Sequence, residues 1–486
     1  MQLRFLLFHS LVQAESKPVL NEASPLRVPN PEFSTLNGPN SREFDAEVDF
    51  RALIDSVDNL VELDARRTVT LNLPGEQPFE TSFKDFIAAD CCFDEDALRR
   101  LIVRADPDAP LEDFNFTWRG KGEFDEDVVI AVRNGQASGF ITTKAGMWRV
   151  YYNQGSERHI VRYIDETNYP SDGVGQVTIG RGTGKRLASP ILANPIKGRP
   201  SQKGTTDQRQ IDLPVLYTNA ARIEAATLIG SPVPPPGNTA AIDAVIDDSL
   251  NQINTAFDNS LVTFARASIA SSQQTGYVEG TNSYPDHLEI TRDDPGVIGL
   301  RNANEADVVM LVVSEVVDTS CGFAYVQRTN NCGQGLVTFP EVECNGIGPQ
   351  FESYAFAVVN VQCAADRADF AHELGHVLGL EHDPQSFAPP PADASFPWSF
   401  GACFPGAAQG DFRTILGNFT VTPCGAPNTP RQLYFSSNDP NVTFNGFMTG
   451  DANQDNARTL MISTEVVSQY RGPVGVIFRD SFEQDL

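Results

Sequence analysis

Three histidines in one short window of the 486-residue sequence have the spacing of metal ligands. The window, residues 372–383, reads His-Glu-Leu-Gly-His-Val-Leu-Gly-Leu-Glu-His-Asp. Residues four apart lie on the same face of a helix, so His372 and His376 present two imidazoles to one tetrahedral metal. Gly379 tolerates a positive φ, which allows the chain to turn and to return His382 as a third ligand.

This ligand set predicts a single catalytic zinc site. Three protein ligands leave the fourth position of zinc open for water, and zinc lowers the pKa of that water toward about 7. Glu373 follows the first ligand and is within reach of the zinc-bound water as a general base. His159 and His287 have no such pattern, and we interpret them as structural or surface residues. A degenerate site that no longer turns over is the alternative.

The elements that must position this window lie in the C-terminal half of the chain. A nearly continuous apolar run at 307–313 indicates a buried central strand. The predicted strands are 211–217, 262–269, 307–313, 322–326 and 354–362, and the predicted helices are 240–260, 364–379 and 457–470. Strands that alternate with helices favour a sheet domain of the α/β or α+β class.

The histidine window matches the metzincin pattern H-E-x-x-H-x-x-G-x-x-H, and Asp383 after the third His resembles the adamalysin/reprolysin branch of zinc endopeptidases. The segments 211–217, 320–325 and 455–460 resemble parts of bacterial reprolysin-like enzymes, including the peptidyl-Asp metalloendopeptidases. The resemblance covers about residues 208–471. It implies a metzincin-like catalytic domain, with a mixed twisted sheet and a zinc-binding helix, preceded by a β-rich propeptide-like domain.

The resemblance also implies a turn beneath the metal that contains a methionine, and this sequence departs from that pattern. The matching segment, 412–419, has Leu416 where Met is expected, while Met448 and Met461 are rival candidates. Met461 fits the closing helix better. An apolar side chain of similar volume would still underlie the ligands, and such exchanges usually cost under about 1.5 kcal/mol.

A second implication of the resemblance is an edge strand that pairs with the substrate backbone. It would be formed by Gly322, Phe323, Ala324 and Tyr325. Main-chain hydrogen bonds from such a strand give affinity, and side-chain pockets give selectivity. A sheet edge without a ligand is the alternative. A cleavage preference beside Asp is an analogy only.

The sequence contains eight cysteines, and an even number fits disulfides in an exported protein. The absence of a Cys-x-x-Cys spacing argues against a zinc ribbon. Six cysteines in the catalytic region allow 15 pairings. Of these we predict Cys321–Cys363, Cys332–Cys344 and Cys403–Cys424. For Cys91 and Cys92 we favour a vicinal disulfide or a buried pair over a thiolate that blocks the zinc.

We divide the chain into five segments. They are a candidate signal peptide at 1–14, a β-rich propeptide-like domain at 15–173, a basic Gly/Pro/Ser-rich linker at 174–209, a zinc metalloprotease domain at 210–472 and a C-terminal tail at 473–486. Short segments punctuated by glycine between 118 and 152 predict an antiparallel sheet. The linker is an expected site of activating cleavage, after which the N-terminal region would leave, or else a plain connection.

The composition excludes two classes of protein. With 63 acidic and 36 basic residues, the chain carries a net charge of -27, which a nucleic-acid backbone would repel. No stretch approaches the roughly 18 consecutive apolar residues of a membrane span. From the histidine window and the resemblance we expect a secreted zinc endopeptidase that acts on protein or peptide substrates. The alternative is a catalytically silent secreted binding protein that retains the fold, and the oligomeric state stays open.

Overall fold

The computed structural model of the protein describes an N-terminal module within residues 17–170 and a C-terminal module within residues 209–471. The described ranges are 17–22, 42–48, 53, 68–71, 73, 79–88, 116–170, 209–314, 320–328, 349–387, 390–405, 411–418 and 429–471. None of the helices in these ranges is long and apolar enough to cross a membrane. The predicted segments 1–14 and 473–486 lie outside the described residues, as does the linker 174–209 except for Arg209.

The N-terminal module is a sheet of nine described strands whose two ends meet. Its strands are β1 Lys17–Glu22, β2 Arg42–Val48, β3 Thr68–Leu71, β4 Phe79–Ala88, β5 Phe116–Gly122, β6 Asp127–Arg133, β7 Gln136–Thr143, β8 Gly146–Asn153 and β9 Arg158–Ile164. All neighbours pair antiparallel except β1 and β3, whose parallel pairing closes the sheet. The antiparallel strands expected between 118 and 152 are present. The role of this module as a propeptide stays a prediction.

The C-terminal module is built on a mixed sheet of five described strands. Its strands are β10 Arg209–Tyr217, β11 Ala265–Gln274, β12 Val309–Val313, β13 Gly322–Ala324 and β14 Phe356–Asn360. Their order is β11-β10-β12-β14-β13, and only β13 runs antiparallel to its neighbour. Both β12 and β14 are buried along their whole length, as the apolar run at 307–313 predicts for the first of them.

Helices and two short hairpins surround this sheet. The helices are α1 Asn219–Leu228, α2 Ala240–Asn259, α3 Tyr284–Asp293, α4 Pro295–Ala303, α5 Val361–Arg367, α6 Asp369–Val377 and α7 Asn456–Val467. The hairpins pair β15 Cys403–Phe404 with β16 Phe412–Arg413, and β17 Thr443–Phe444 with β18 Phe447–Met448. Sequence patterns predicted α2 and α7 but not α1, α3 and α4.

The single helix predicted at 364–379 is wrong, because the chain forms two helices there. Ala368 separates α5 from α6 and has a φ of 56°. The cause lies far away in the sequence. The Arg431 guanidinium donates to the carbonyl of Arg367 at 2.6 Å and to Asp369 Oδ1 at 2.8 Å, which stabilises the break between the helices.

Candidate metal centre and substrate edge

Helix α6 and the turn after it bring three imidazoles to one point. His372 and His376 lie one turn apart on α6, which ends at Val377. Gly379 then adopts a φ of 84° and reverses the chain toward His382. The Nε2 atom of His382 lies 2.9 Å from Nε2 of His372 and 3.2 Å from Nε2 of His376. All three side chains are buried.

Hydrogen bonds to backbone carbonyls fix the orientation of two of these rings. Nδ1 of His372 lies 2.8 Å from the Ile415 carbonyl, and Nδ1 of His376 lies 2.8 Å from the Leu380 carbonyl. A carbonyl only accepts, so each Nδ1 carries the hydrogen and each Nε2 keeps a lone pair for the common centre. Two nitrogens bound tetrahedrally to zinc at about 2.0–2.1 Å would lie about 3.3 Å apart. The donor set therefore fits such a metal.

The two residues that flank His382, Glu381 and Asp383, are held by buried contacts to distant parts of the chain. Asp383 Oδ2 accepts from the backbone N–H of Asn418 at 2.8 Å and from the Ser386 hydroxyl at 2.8 Å. On the other side of His382, Glu381 forms a two-pronged buried pair with Arg328. Burial raises the pKa of Asp383, and the hydrogen bond from Asn418 opposes that rise. Of the residues in these contacts, only Asp383 could be singled out from the sequence, because it directly follows a ligand.

Glu373 is buried on α6 and faces the sheet edge. A Cβ atom added to Gly322 would lie 2.7 Å from Glu373 Oε1 and 2.8 Å from the Val358 carbonyl oxygen. The glutamate carboxylate therefore occupies the space that a side chain at position 322 would need. Burial raises the pKa of the Tyr284 hydroxyl, and the negative charge of Glu373 raises it further, so Tyr284 is a neutral phenol.

The predicted substrate segment lies at one end of the sheet. Gly322, Phe323 and Ala324 form β13, whose only pairing among the described strands is with β14. Tyr325 follows β13, is buried, and accepts a hydrogen bond from Arg292 at 2.6 Å. The main chain of β13 on the side away from β14 is thus placed at an edge, where an extended peptide could add as a further strand.

Leu416 lies directly beneath helix α6, the metal helix. A Cβ atom added to Gly375 of α6 would lie 3.0 Å from Leu416 Cδ2, and the neighbouring Ile415 carbonyl accepts from His372. The rival methionines lie elsewhere in the fold. Met448 ends the hairpin strand β18, and Met461 on α7 is 55% exposed. The geometry supports the assignment of Leu416 to this turn.

A disulfide joins Cys321, just before β13, to Cys363 in the first turn of α5. It ties the sheet edge to the helix that precedes the metal helix. Cys403 is also disulfide-bonded. The other predicted partners, Cys332, Cys344 and Cys424, lie outside the described residues, as do Cys91 and Cys92.

The fold and the site together define a class of protein. Three convergent histidines, a glutamate after the first of them and an adjacent sheet edge form a metallopeptidase centre. Residues 244–383 match the family model described as Metallo-peptidase family M12B Reprolysin-like. This stretch of the chain is therefore similar to a reprolysin-like metallopeptidase domain, and the protein is a metalloendopeptidase.

Related proteins carry a more specific name. The chain is 25% identical over 353 residues to the peptidyl-Asp metalloendopeptidase of Stenotrophomonas maltophilia (strain R551-3), a match that covers 71% of this chain and 70% of that protein. The peptidyl-Asp metalloendopeptidase of Xanthomonas campestris pv. campestris is 25% identical over 321 residues, covering 65% and 63%. Metalloproteinase-II from Bacteroides fragilis aligns at 11% identity with a TM-score of 0.30, over 68% of this chain and 85% of that one, which is too low to support an argument.

Proposed function

We propose that the protein is a secreted, zinc-dependent endopeptidase that is made as a proenzyme. One observation carries the proposal. The Nε2 atoms of His372, His376 and His382 meet at one buried point, next to Glu373 and within the fold of a reprolysin-like domain. A catalytically silent binding protein would need the ligands but no base, and the retained Glu373 speaks for the enzyme.

The residues divide the chemistry between them. His372, His376 and His382 would hold one zinc ion, and their Nδ1 contacts keep the rings aimed at it. When bound, zinc supplies a Lewis acid that lowers the pKa of water and polarises the peptide carbonyl. Glu373 takes the proton of the attacking water and passes it to the leaving amine. Because Glu373 and its surroundings are buried, this proton transfer takes place away from bulk solvent.

The substrate backbone would pair with β13. Its position at the end of the sheet supports this assignment, because an edge strand offers free main-chain positions to an extended peptide. The relatives named as peptidyl-Asp metalloendopeptidases suggest that Asp next to the cut bond is the first preference to test. The substrates would be proteins or peptides.

Export and latency are part of the proposal. The disulfide between Cys321 and Cys363 fits an oxidising compartment, and the apolar N-terminal segment at 1–14 fits a signal peptide. The linker at 174–209 is rich in basic residues, Gly, Pro and Ser, a composition that suits cleavage by a processing protease. We therefore propose that a cut in this linker activates the enzyme.

Peptide cleavage tests the proposal, with Glu373→Ala as the matched control. Purified wild-type protein that has been cut in the linker 174–209 should cleave a peptide library, and mass spectrometry of the products should show which residues flank the cleaved bond. A zinc chelator should abolish cleavage, and added zinc should restore it. Glu373→Ala should lose at least about 100-fold in turnover while it retains zinc, because the base is not a ligand. Wild-type protein that has been cut in the linker and binds zinc but cleaves no peptide would be the silent binding protein instead.

A further inference from the structure

The two modules share one apolar core. Val129, Phe140, Met147 and Ile164 of the N-terminal sheet belong to the same buried cluster as the strands and helices of the C-terminal module. Each of the four side chains is at most 3% exposed. Interfaces of this apolar type are typical of permanent assemblies rather than of transient contacts.

A carboxylate of the C-terminal module binds cations of the N-terminal module. Asp366 on α5 accepts from Arg162 at 2.8 Å, from Arg149 at 3.2 Å and from the Tyr169 hydroxyl at 2.7 Å. The side chains of Asp366, Arg149 and Arg162 are 0%, 2% and 1% exposed. Bulk water therefore does not screen these ion pairs.

Glu166 makes the reverse connection, from the N-terminal module to three arginines of the C-terminal module. Its carboxylate accepts from the Arg413 guanidinium and from the Arg431 backbone N–H at 2.8 Å, and it lies 3.7 Å from Nε of Arg367. Burial alone would raise the pKa of Glu166. The positive charges of Arg413, Arg367 and Arg431 outweigh burial and hold that pKa below its usual range.

Two of the arginines around Glu166 also contact the elements that hold the metal ligands. Arg431 also binds Asp369, the first residue of α6, at 2.8 Å. Arg413 donates to the Gly417 carbonyl at 2.7 Å, in the same turn whose Ile415 carbonyl orients His372. Through Arg431 and Arg413, the Glu166 carboxylate thus connects the start of the metal helix with the turn beneath it.

We propose that Glu166 is a positioning residue of the metal centre, and that the N-terminal module remains part of the active enzyme after a cut in the linker 174–209. The proposal rests on the proposed function and deepens it. It differs from the departure of the N-terminal region that we expected from the sequence. Removal of the module would expose a shared apolar core and take the central carboxylate away from Arg367, Arg413 and Arg431.

The first test compares Glu166→Gln with Glu123→Gln, a matched exchange at an exposed turn of the same module. In chelator competition, Glu166→Gln should bind zinc about 10-fold more weakly than wild type, a loss typical of groups that orient ligands. Its kcat should fall more than its KM changes, and Glu166→Asp should recover part of the loss. In metal-free protein, the amides of 369–377 should exchange hydrogen faster. Glu123→Gln should match wild type throughout.

Two outcomes separate this proposal from the proposed function. If wild type binds zinc and cleaves peptides but Glu166→Gln equals it in zinc affinity and hydrogen exchange, the positioning role is overturned. If wild type neither binds zinc nor cleaves, the proposed function fails, while hydrogen exchange in metal-free protein still reports whether Glu166 stabilises α6.

The second test does not depend on the folding of any Glu166 variant. A recognition site for a specific protease is placed in 174–209, and the full-length folded protein is cut there. We expect both fragments to elute together in gel filtration and the cut complex to be active. Fragments that separate under native conditions, with full activity in the C-terminal fragment alone, would overturn the proposal.

Discussion

At the scale of single residues, the position of Glu373 depends on the absence of a side chain at Gly322. A Cβ atom at Gly322 would lie within 3 Å of both the Val358 carbonyl oxygen and the Glu373 side chain. A methyl group at position 322 cannot retreat from the carbonyl, so it must displace the carboxylate. A glycine is therefore required here for close approach rather than for its conformational freedom.

Gly322→Ala should reduce kcat/KM on the order of 100-fold, because a displacement of about 1 Å in a reacting group has an effect of this size. Gly299→Ala is the matched control, since a Cβ atom at that position of α4 would meet nothing within 4 Å. Peptide hydrolysis by both variants is the measurement. Equal activity in the two variants would show that Glu373 does not depend on the space at Gly322.

The local part of the site could be predicted from sequence for a physical reason. His372 and His376 are four residues apart, and helix geometry alone puts them on one face. His382 follows after Gly379, whose observed φ of 84° is the reversal that glycine permits. Arg328 gave no signal, because its partner Glu381 is 53 residues away and both are buried by tertiary packing.

At the scale of elements, the metal helix lies on a turn that carries leucine at its centre. Leu416 packs against Gly375 of α6, and the adjacent Ile415 carbonyl fixes the ring of His372. The turn therefore both fills space beneath the helix and orients a ligand. An apolar side chain of the right volume meets the first requirement, and the backbone meets the second.

Leu416→Met should change the free energy of unfolding by less than about 1.5 kcal/mol, because the two side chains have similar volumes. Leu416→Ala should lower it by about 2–5 kcal/mol, because a cavity remains beneath α6. Chemical denaturation of the metal-free variants measures both values. If Leu416→Ala is as stable as Leu416→Met, then Leu416 does not fill this space.

The boundaries of helices could be predicted from the sequence only where interactions between neighbouring residues determine them. The apolar stripe of 240–260 predicted α2, which runs from Ala240 to Asn259. The break at Ala368 was not predictable, because the stabilising guanidinium of Arg431 comes from a different part of the chain. The helix periodicity of 364–379 carries no trace of that contact.

At the scale of the whole molecule, the interface between the modules contains a buried acid. Asp248 on α2 is 1% exposed, and its Oδ1 accepts from the Ser138 hydroxyl of the N-terminal module at 3.2 Å. Burial raises the pKa of Asp248 to about 7, and the positive charge of Arg149 only partly opposes the rise. The folded protein therefore holds this proton over a pH range in which the unfolded chain has released it.

This raised pKa predicts a fall in stability with rising pH. Below about pH 4 the carboxyl is protonated in both states, and its full contribution is present. Between about pH 4 and 7 the unfolded chain loses the proton first, so the free energy of unfolding falls. Asp248→Asn cannot ionise and should lose less stability than wild type between pH 5 and pH 8, by roughly 1–3 kcal/mol. Urea unfolding at the two pH values measures the difference, and equal losses in both proteins would contradict it.

The arrangement of the two modules could not be predicted from the sequence. Glycine punctuation predicted strands between 118 and 152, but the closure of their sheet depends on β1 and β3, which are far away in the chain. The contacts of Glu166 with Arg413 and Arg431 span more than 200 residues. Such pairs form when the surfaces of the two modules pack together, and no local sequence pattern predicts that packing.

Zinc titration of metal-free protein tests the central claim most directly. Peptide hydrolysis is measured as zinc is added to a known concentration of protein cut in the linker 174–209, with bound metal counted in the same samples. The account predicts that activity rises in proportion to bound zinc and levels off at one zinc per chain, held by His372, His376 and His382. Undiminished hydrolysis by the metal-free protein, or folded wild-type protein that binds no zinc, would contradict the account.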